Sequence, residues 1–279
     1  VPHTLHIIDD DVPSSSLMLL SAAAEARGLA VQVWPAGATD PLEVRPLPAG
    51  DLLFCPATSR RAERLAQQLF GPGVGSFYGR NGPYVEPLAA DLRFARAGVP
   101  TPRSAPCVST DRVWLRKAVG FLGGLPVVLK MGGEGGVGVM RAETWPTLFS
   151  LVDHLCQTAT PTLEAWVPDA MHHRVVVVGD RAVASYLNPV LADDFRSAPS
   201  DDPADYTARV PADLAEVAVA AVRALGYDFA GVDVLAHASG RLYVIEANFP
   251  CYFPQAQEVA GIDVAGAMVD VLMRSAGAT

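Results

Sequence analysis

The stretch 127-VVLKMGGEGGVGVM-140 sets five glycines between two apolar, β-like runs. Glycine loses more backbone entropy on ordering than any other residue and packs no side chain, so such a run is disfavoured inside a helix or strand and suits a turn. The chain is therefore expected to fold back on itself here, one strand ending at Lys130 and another starting near Val139. The run contains a G-x-G-x-x-G, at Gly133, Gly135 and Gly138. A dinucleotide fingerprint, however, needs a helix starting on its glycines and an acid about 20 residues later at the end of a second strand. Val137, Val139 and Met140, followed by Arg141 and Ala142, read instead as a returning strand. A Walker loop needs its lysine after the glycines, whereas Lys130 precedes them. Two readings remain: a glycine hairpin whose backbone N–H groups close over phosphates, and a tight turn with no ligand.

Lys130 is one of only two lysines, with Lys117, among 21 basic residues. Arginine serves everywhere else, so a retained lysine marks a place for a compact point charge. The 21 basic residues face 30 acidic ones, a net charge of −9, with no block of consecutive basic residues. Nucleic acid is therefore not an expected partner. Cys55, Cys107, Cys156 and Cys251 are scattered, with no C-x-x-C, which predicts neither a zinc knuckle nor a disulfide framework and makes a reducing, cytoplasmic setting the expectation. The start VPHTLHIIDDD lacks a basic signal region, and no apolar stretch reaches about 18 residues, so no membrane partner is expected either.

Periodicity predicts a strand LHII (5–8), an acidic, serine-rich turn 9-DDDVPSSS-16, a helix to about Arg27, the strand LAVQVW, then LLFCP and a one-faced helix over 59–70. This opens an α/β layer that ends in the Gly/Tyr/Pro-rich stretch 71–85. The run 9-DDD-11 reads either as an amine-binding turn or as a solvated one with Ser14 to Ser16 capping the next helix, the simpler reading. Further on come helices over 88–98, 111–122 and 145–157, strands PVVLK, TLEAWV and RVVVVG, a polar loop over 192–206 expected to be mobile, and helices over 211–226 and 262–274.

Between those last two helices, 230-AGVDVLAHASGRLYVIEANFP-250 reads as a hairpin turning at Ser239 and Gly240. A two-residue turn there sets Asp233 opposite Glu246, with Asn248 on the same face as Glu246. Opposed acids repel unless a cation separates them. Three hard oxygen donors on one face suit Mg2+; the other reading is a solvated sheet face.

Together these residues resemble the ATP-grasp superfamily, most closely its RimK-like and glutathione-synthetase-like carboxylate–amine ligases, over the whole length and strongly from about residue 86. The resemblance implies an α/β chain (α+β lobes) with the ATP-grasp fold. Its parts would be an N-terminal open α/β pre-ATP-grasp domain (1–85), a central lobe with the glycine loop (86–163) and a C-terminal lobe with a Mg2+ site (164–279). It implies ATP held by Lys130, Gly133, Gly135 and Gly136 and by the hinge Glu164, Ala165, Trp166 and Val167, with Glu164 on the adenine amino group. It implies Mg2+, or alternatively Mn2+, on Asp233, Glu246 and Asn248. Arg174 and Lys130 would be catalytic, Arg174 contacting the transferred phosphate or acyl intermediate, and His172 stands where an acid commonly holds the ribose hydroxyls. That histidine, which reads equally as a plain surface residue, is one of three departures from the family pattern. Pro87 replaces a second ATP lysine, which leaves the phosphate grip either weaker or supplied by an arginine. The ending N-F-P-C-Y puts Cys251 and Tyr252 near the metal.

The implied activity is an ATP-dependent carboxylate–amine ligase forming an amide or peptide bond through an acyl phosphate, with small-molecule carboxylate and amine substrates such as an amino acid or small peptide. Self-association is left open. The alternatives are an ATP-grasp kinase acting on a hydroxyl, which the N-F-P-C-Y ending loosely suggests, and an idle nucleotide-binding module, suggested by Pro87 and opposed by the complete Asp, Glu, Asn set.

Overall fold

The structure is a computed structural model that describes residues 3–10, 14–78, 90–131 and 138–277. Three sheets organise it. In the first, β1 (Thr4–Asp9) lies between β2 (Ala30–Pro35) and β3 (Leu52–Phe54), all parallel. Parallel strands need crossovers, and α1 (Ser15–Glu25) supplies the one between β1 and β2, while α2 (Arg60–Leu69) follows β3. Ser14 and Ser59 cap the two helices, accepting from the Leu17 and Ala62 N–H groups. The acidic turn steadies both caps: buried Asp9 accepts from the Ser14 hydroxyl, and Asp10 accepts from the Ser59 hydroxyl at 2.6 Å. The capping reading of that turn is thus the one the geometry supports, for Asp9 and Asp10; Asp11 lies outside the described residues.

The second sheet is antiparallel, in the order β4 (Ser104–Pro106), β7 (Thr162–Ala165), β5 (Val127–Lys130), β6 (Val139–Ala142). Its apolar face meets α4 (Arg112–Leu122) and α5 (Trp145–Leu155) through Leu115, Val119, Leu148 and Val152. Lys130 pairs with Val139, so the chain does return as a strand after the glycine run. Gly133, Gly135 and Gly136 themselves lie outside the described residues, as does Pro87.

The third sheet runs β10 (Tyr206–Thr207), β9 (Arg181–Leu187), β8 (Ala170–Val178), β11 (Phe229–His237), β12 (Leu242–Asn248), antiparallel throughout. One face packs Val175, Val177, Val232 and Val234 on α6 (Ala212–Leu225), against which α3 (Ala90–Ala97) also lies. On the other face, Val176, Val178 and Phe229 join Leu5 and Ile7 of β1 and Met268 and Leu272 of α8 (Val264–Ala276) in one core, beside α7 (Pro254–Ala260). A division at residue 163/164 falls inside β7, and α8 packs on α1 and β3, so the sheets do not follow the sequence division cleanly.

Four elements, β4, β9, β10 and α7, were not expected from the sequence. The polar stretch 192–206 carries more structure than a loop. A bridge joins Val190 to Ser197, a 3-10 turn spans Pro203–Asp205, and the Tyr206 hydroxyl donates to the Ser200 carbonyl at 2.5 Å.

Candidate active site

Strand alternation lifts two sets of polar side chains out of these sheets. In the second sheet Glu164 pairs in register with Val128, two residues from Lys130 on β5, so the two charged side chains are diagonal neighbours on one face. The Lys130 ammonium donates to the Glu164 carboxylate at 2.8 Å, both side chains less than a third exposed. The hinge turns away from the sheet just after Ala165. Trp166 then meets the Arg141 guanidinium, 5.0 Å from its ring centre, and Phe195 of the 192–206 stretch lies 5.2 Å from the same guanidinium. Val167, the last residue of the hinge, follows Trp166 outside the strand.

In the third sheet one row crosses four strands, in register: Tyr186, Arg174, Asp233, Glu246. Asp233 is 4% exposed and accepts a two-pronged grip from Arg174, Nε to Oδ1 at 2.7 Å and Nη2 to Oδ2 at 3.0 Å. His172 donates from Nε2 to Oδ1 at 2.9 Å, its Nδ1 held by the Ser197 hydroxyl, and the Asn248 amide donates to Oδ2 at 3.4 Å. Burial alone pushes the Asp233 carboxyl up; the Arg174 charge and the His172 and Arg174 hydrogen bonds outweigh it and hold the group below the usual carboxylate range. Burial likewise works against the Arg174 charge, and Asp233 more than restores it. Cys251, also buried, has its thiol pushed up to about 12 by desolvation, only partly offset by Arg174.

The expected pairing of Asp233 with Glu246 is present, by a different route. The hairpin has no two-residue turn: His237 and Arg241 close a three-residue loop, which shifts the register by one. A bulge between Asp233 and Val234, with Ile245 left over on β12, shifts it back. The repulsion between opposed acids also has a simpler resolution than a metal. Arg174 neutralises Asp233 from the β8 side, and Glu246 is exposed. His172, given a ribose role by the resemblance, has both ring nitrogens engaged within this cluster.

The residues suit a hard divalent cation in donor type: a carboxylate kept ionised, a second carboxylate opposite it and an amide two residues on. Asp233 already accepts four hydrogen bonds, so sharing an oxygen with a cation requires Arg174, His172 or Asn248 to shift. Among the described residues no group of three or more His, Cys, Asp or Glu side chains forms a ready cage, so any such ion would lean on Asn248 and on a substrate.

Sequence reasoning missed three members. Gly231 makes room, since a Cβ there would lie 2.8 Å from Arg174 Nη1 and 2.9 Å from Cys251 Cβ. Tyr186 arrives on the unread strand β9, and Ser197 from the polar stretch. Only the alternation of His172 and Arg174 along β8 hinted that a polar face needed partners.

A three-sheet chain with a lysine at the end of a strand before a glycine run, and a buried, arginine-held aspartate opposite a glutamate, defines an ATP-grasp architecture. The RimK-like ATP-grasp domain family matches residues 91–272, and the chain belongs to that family. Ribosomal protein bS6–L-glutamate ligase of Escherichia coli O7:K1 is 31% identical over 186 residues, covering 65% of this chain and 61% of that relative's length. Among solved structures, the ATP-grasp ligase PsnB complexed with a minimal precursor, Mg and ADP superposes with a TM-score of 0.72 at 14% identity, covering 98% of this chain and 97% of that one. D-alanine–D-alanine ligase from Bacillus anthracis complexed with ATP gives 0.65 at 14% identity, over 99% and 97%. These likenesses extend the fold to the first sheet, outside the family match. Among the described residues no helix is long and apolar enough to cross a membrane.

Proposed function

We propose that the chain is an ATP-dependent carboxylate–amine ligase that forms an amide or peptide bond through an acyl phosphate, acting on an amino acid or small peptide. The observation that carries this is Asp233: a buried carboxylate held charged, with a guanidinium on one neighbouring strand and a carboxylate on the other, in a chain of the RimK-like family. The names of its relatives, an L-glutamate ligase and a D-alanine–D-alanine ligase, support the same reading.

A carboxylate is a poor electrophile, so ATP first phosphorylates it, and the amine then displaces phosphate. Lys130 supplies a point charge to the nucleotide phosphates, exchanging its Glu164 contact for them. Glu164 and the backbone from Ala165 to Val167 grip the adenine, with Trp166 steadied by Arg141. Asp233, Glu246 and Asn248 would hold Mg2+, which when bound neutralises charge on the β and γ phosphates. Arg174, anchored by Asp233, presents its remaining N–H to the transferring phosphoryl group. His172 is the candidate for the ribose, exchanging its Ser197 contact for a hydroxyl, and Gly133, Gly135 and Gly136 for closing over the phosphates and excluding water. We also propose three units, one per sheet, with α3 and α8 crossing between them.

The test is incubation with ATP, Mg2+ and pairs of amino acids or short peptides, following phosphate release and product mass. A product equal to the two substrates less one water supports the ligase. Phosphorylation of an alcohol, with every carboxylate and amine pair at background, would replace it with a kinase.

A further inference from the structure

A second polar surface lies in the first unit. A groove of about 890 Å³ runs between α2 and residues 36–42, lined on the helix side by Arg60, Arg61, Arg64, Gln67 and Gln68. Two of these bind its opposite wall, Arg61 donating to the Gly37 carbonyl at 3.3 Å and Gln68 to the Pro41 carbonyl at 3.4 Å. All three arginines are exposed, and none forms a salt bridge with a carboxylate among the described residues. Asp40, the one acid among the described lining residues, turns its carboxylate to the Leu42 N–H of its own loop.

Two features point to an anionic occupant. Arg60 and Arg61 are the first residues of α2, where the helix dipole disfavours cations, so their charge stands against the local dipole. They also concentrate positive charge on a chain whose net charge is −9. Guanidinium forks match carboxylates two-pronged. Among the described residues no aromatic side chain lines the groove, so nucleic-acid bases find nothing there to stack on. From Arg60 to Gln68 the helix rises about 12 Å, the length of roughly four residues of extended chain.

We propose that this groove binds an acidic polypeptide segment, its side-chain carboxylates on Arg60, Arg61 and Arg64. The site is separate from the ligase reading and needs neither ATP nor Mg2+.

The experiment titrates the full chain into a fluorescent hexa-aspartate peptide, blocked at both ends, without nucleotide or metal, and follows anisotropy. Saturable binding is expected, weakening with salt and falling about tenfold or more in an Arg60→Ala, Arg61→Ala, Arg64→Ala triple variant. A charge-matched control, Arg209→Ala, Arg223→Ala, Arg241→Ala, should leave binding unchanged. Should the first triple variant fail to fold, Arg64→Gln alone must still weaken binding. Absence of saturation, equal loss in the control, full displacement by millimolar inorganic phosphate, or tighter binding of a single-stranded oligonucleotide would each overturn the proposal.

Discussion

Asp233 owes its charge to its neighbours, and the debt is mutual. Asp233→Asn strands the half-buried Arg174 guanidinium, and breaking a buried pair in this way typically costs about 3–5 kcal/mol, the upper limit for a pair with one partner partly exposed. Urea unfolding should register that loss; a change well under 1 kcal/mol would show the pair to be incidental. Gly231→Ala should disturb the same cluster from behind, since its Cβ would crowd Arg174 and Cys251, at about 1–3 kcal/mol for overpacking. On the proposed reaction, Glu246→Gln and Lys130→Ala should each lower turnover on the order of a hundredfold with the melting temperature little changed; near-normal rates in either variant would remove that residue from the site. What could be read in the sequence was charge in unusual company: Lys130 before glycines, Asp233 and Glu246 inside apolar runs. Gly231 could not be read, because its contribution is an absent side chain, and Ser197 could not, because nothing local ties a loop serine to a distant histidine.

The caps of α1 and α2 share one design, a serine at the helix start tied to an acid at the end of β1. Ser59→Ala should cost about 1 kcal/mol, the usual worth of an N-cap. Ser14→Ala should cost more, because Asp9 is buried and loses a donor, whereas Asp10 has solvent. Denaturant midpoints of the two variants give the comparison, and equal losses would mean that Asp9 adds nothing. Strongly patterned elements were legible: β5, β8, α2 and α6 follow their periodicities closely. β9, RAVASYL, lacks the density of branched residues that marks a strand, and α7 is too short for a helical period to show. In the β11–β12 hairpin two misreadings cancelled: a one-residue longer loop and a one-residue bulge left Asp233 facing Glu246.

Periodicity tells which face of a helix is buried and is silent on what buries it, so the return of α8 to the first sheet was not foreseeable. Gly75 admits the helix at close quarters; a Cβ there would lie 2.4 Å from the Leu272 carbonyl oxygen. Rings from distant parts of the chain lock the same region, Phe54 standing 5.6 Å from Phe229. At the surface Arg27, in the turn just past α1, grips Asp270 of α8, with Nε to Oδ1 at 2.6 Å. The Arg27 hydrogen bond holds the Asp270 carboxyl below its ordinary value. The folded form thus releases this proton more readily than the unfolded chain. The pair stabilises above the ordinary carboxylate range, and its contribution fades as pH falls through the depressed value. Both groups are partly exposed, so the gain is small, roughly 0.2–1 kcal/mol, and shrinks with salt. Asp270→Asn should lower the melting temperature slightly at neutral pH and converge with the parent in acid; a constant offset across pH would mean that the effect is packing alone.

The position of α8 also matters during synthesis. Met268 and Leu272 fill the same core as Leu5, Ile7 and Phe54. A nascent chain that has exposed β1, β2 and β3 therefore carries an open apolar surface until α8 has also been translated. In a cell, that interval is when this protein would most need a chaperone.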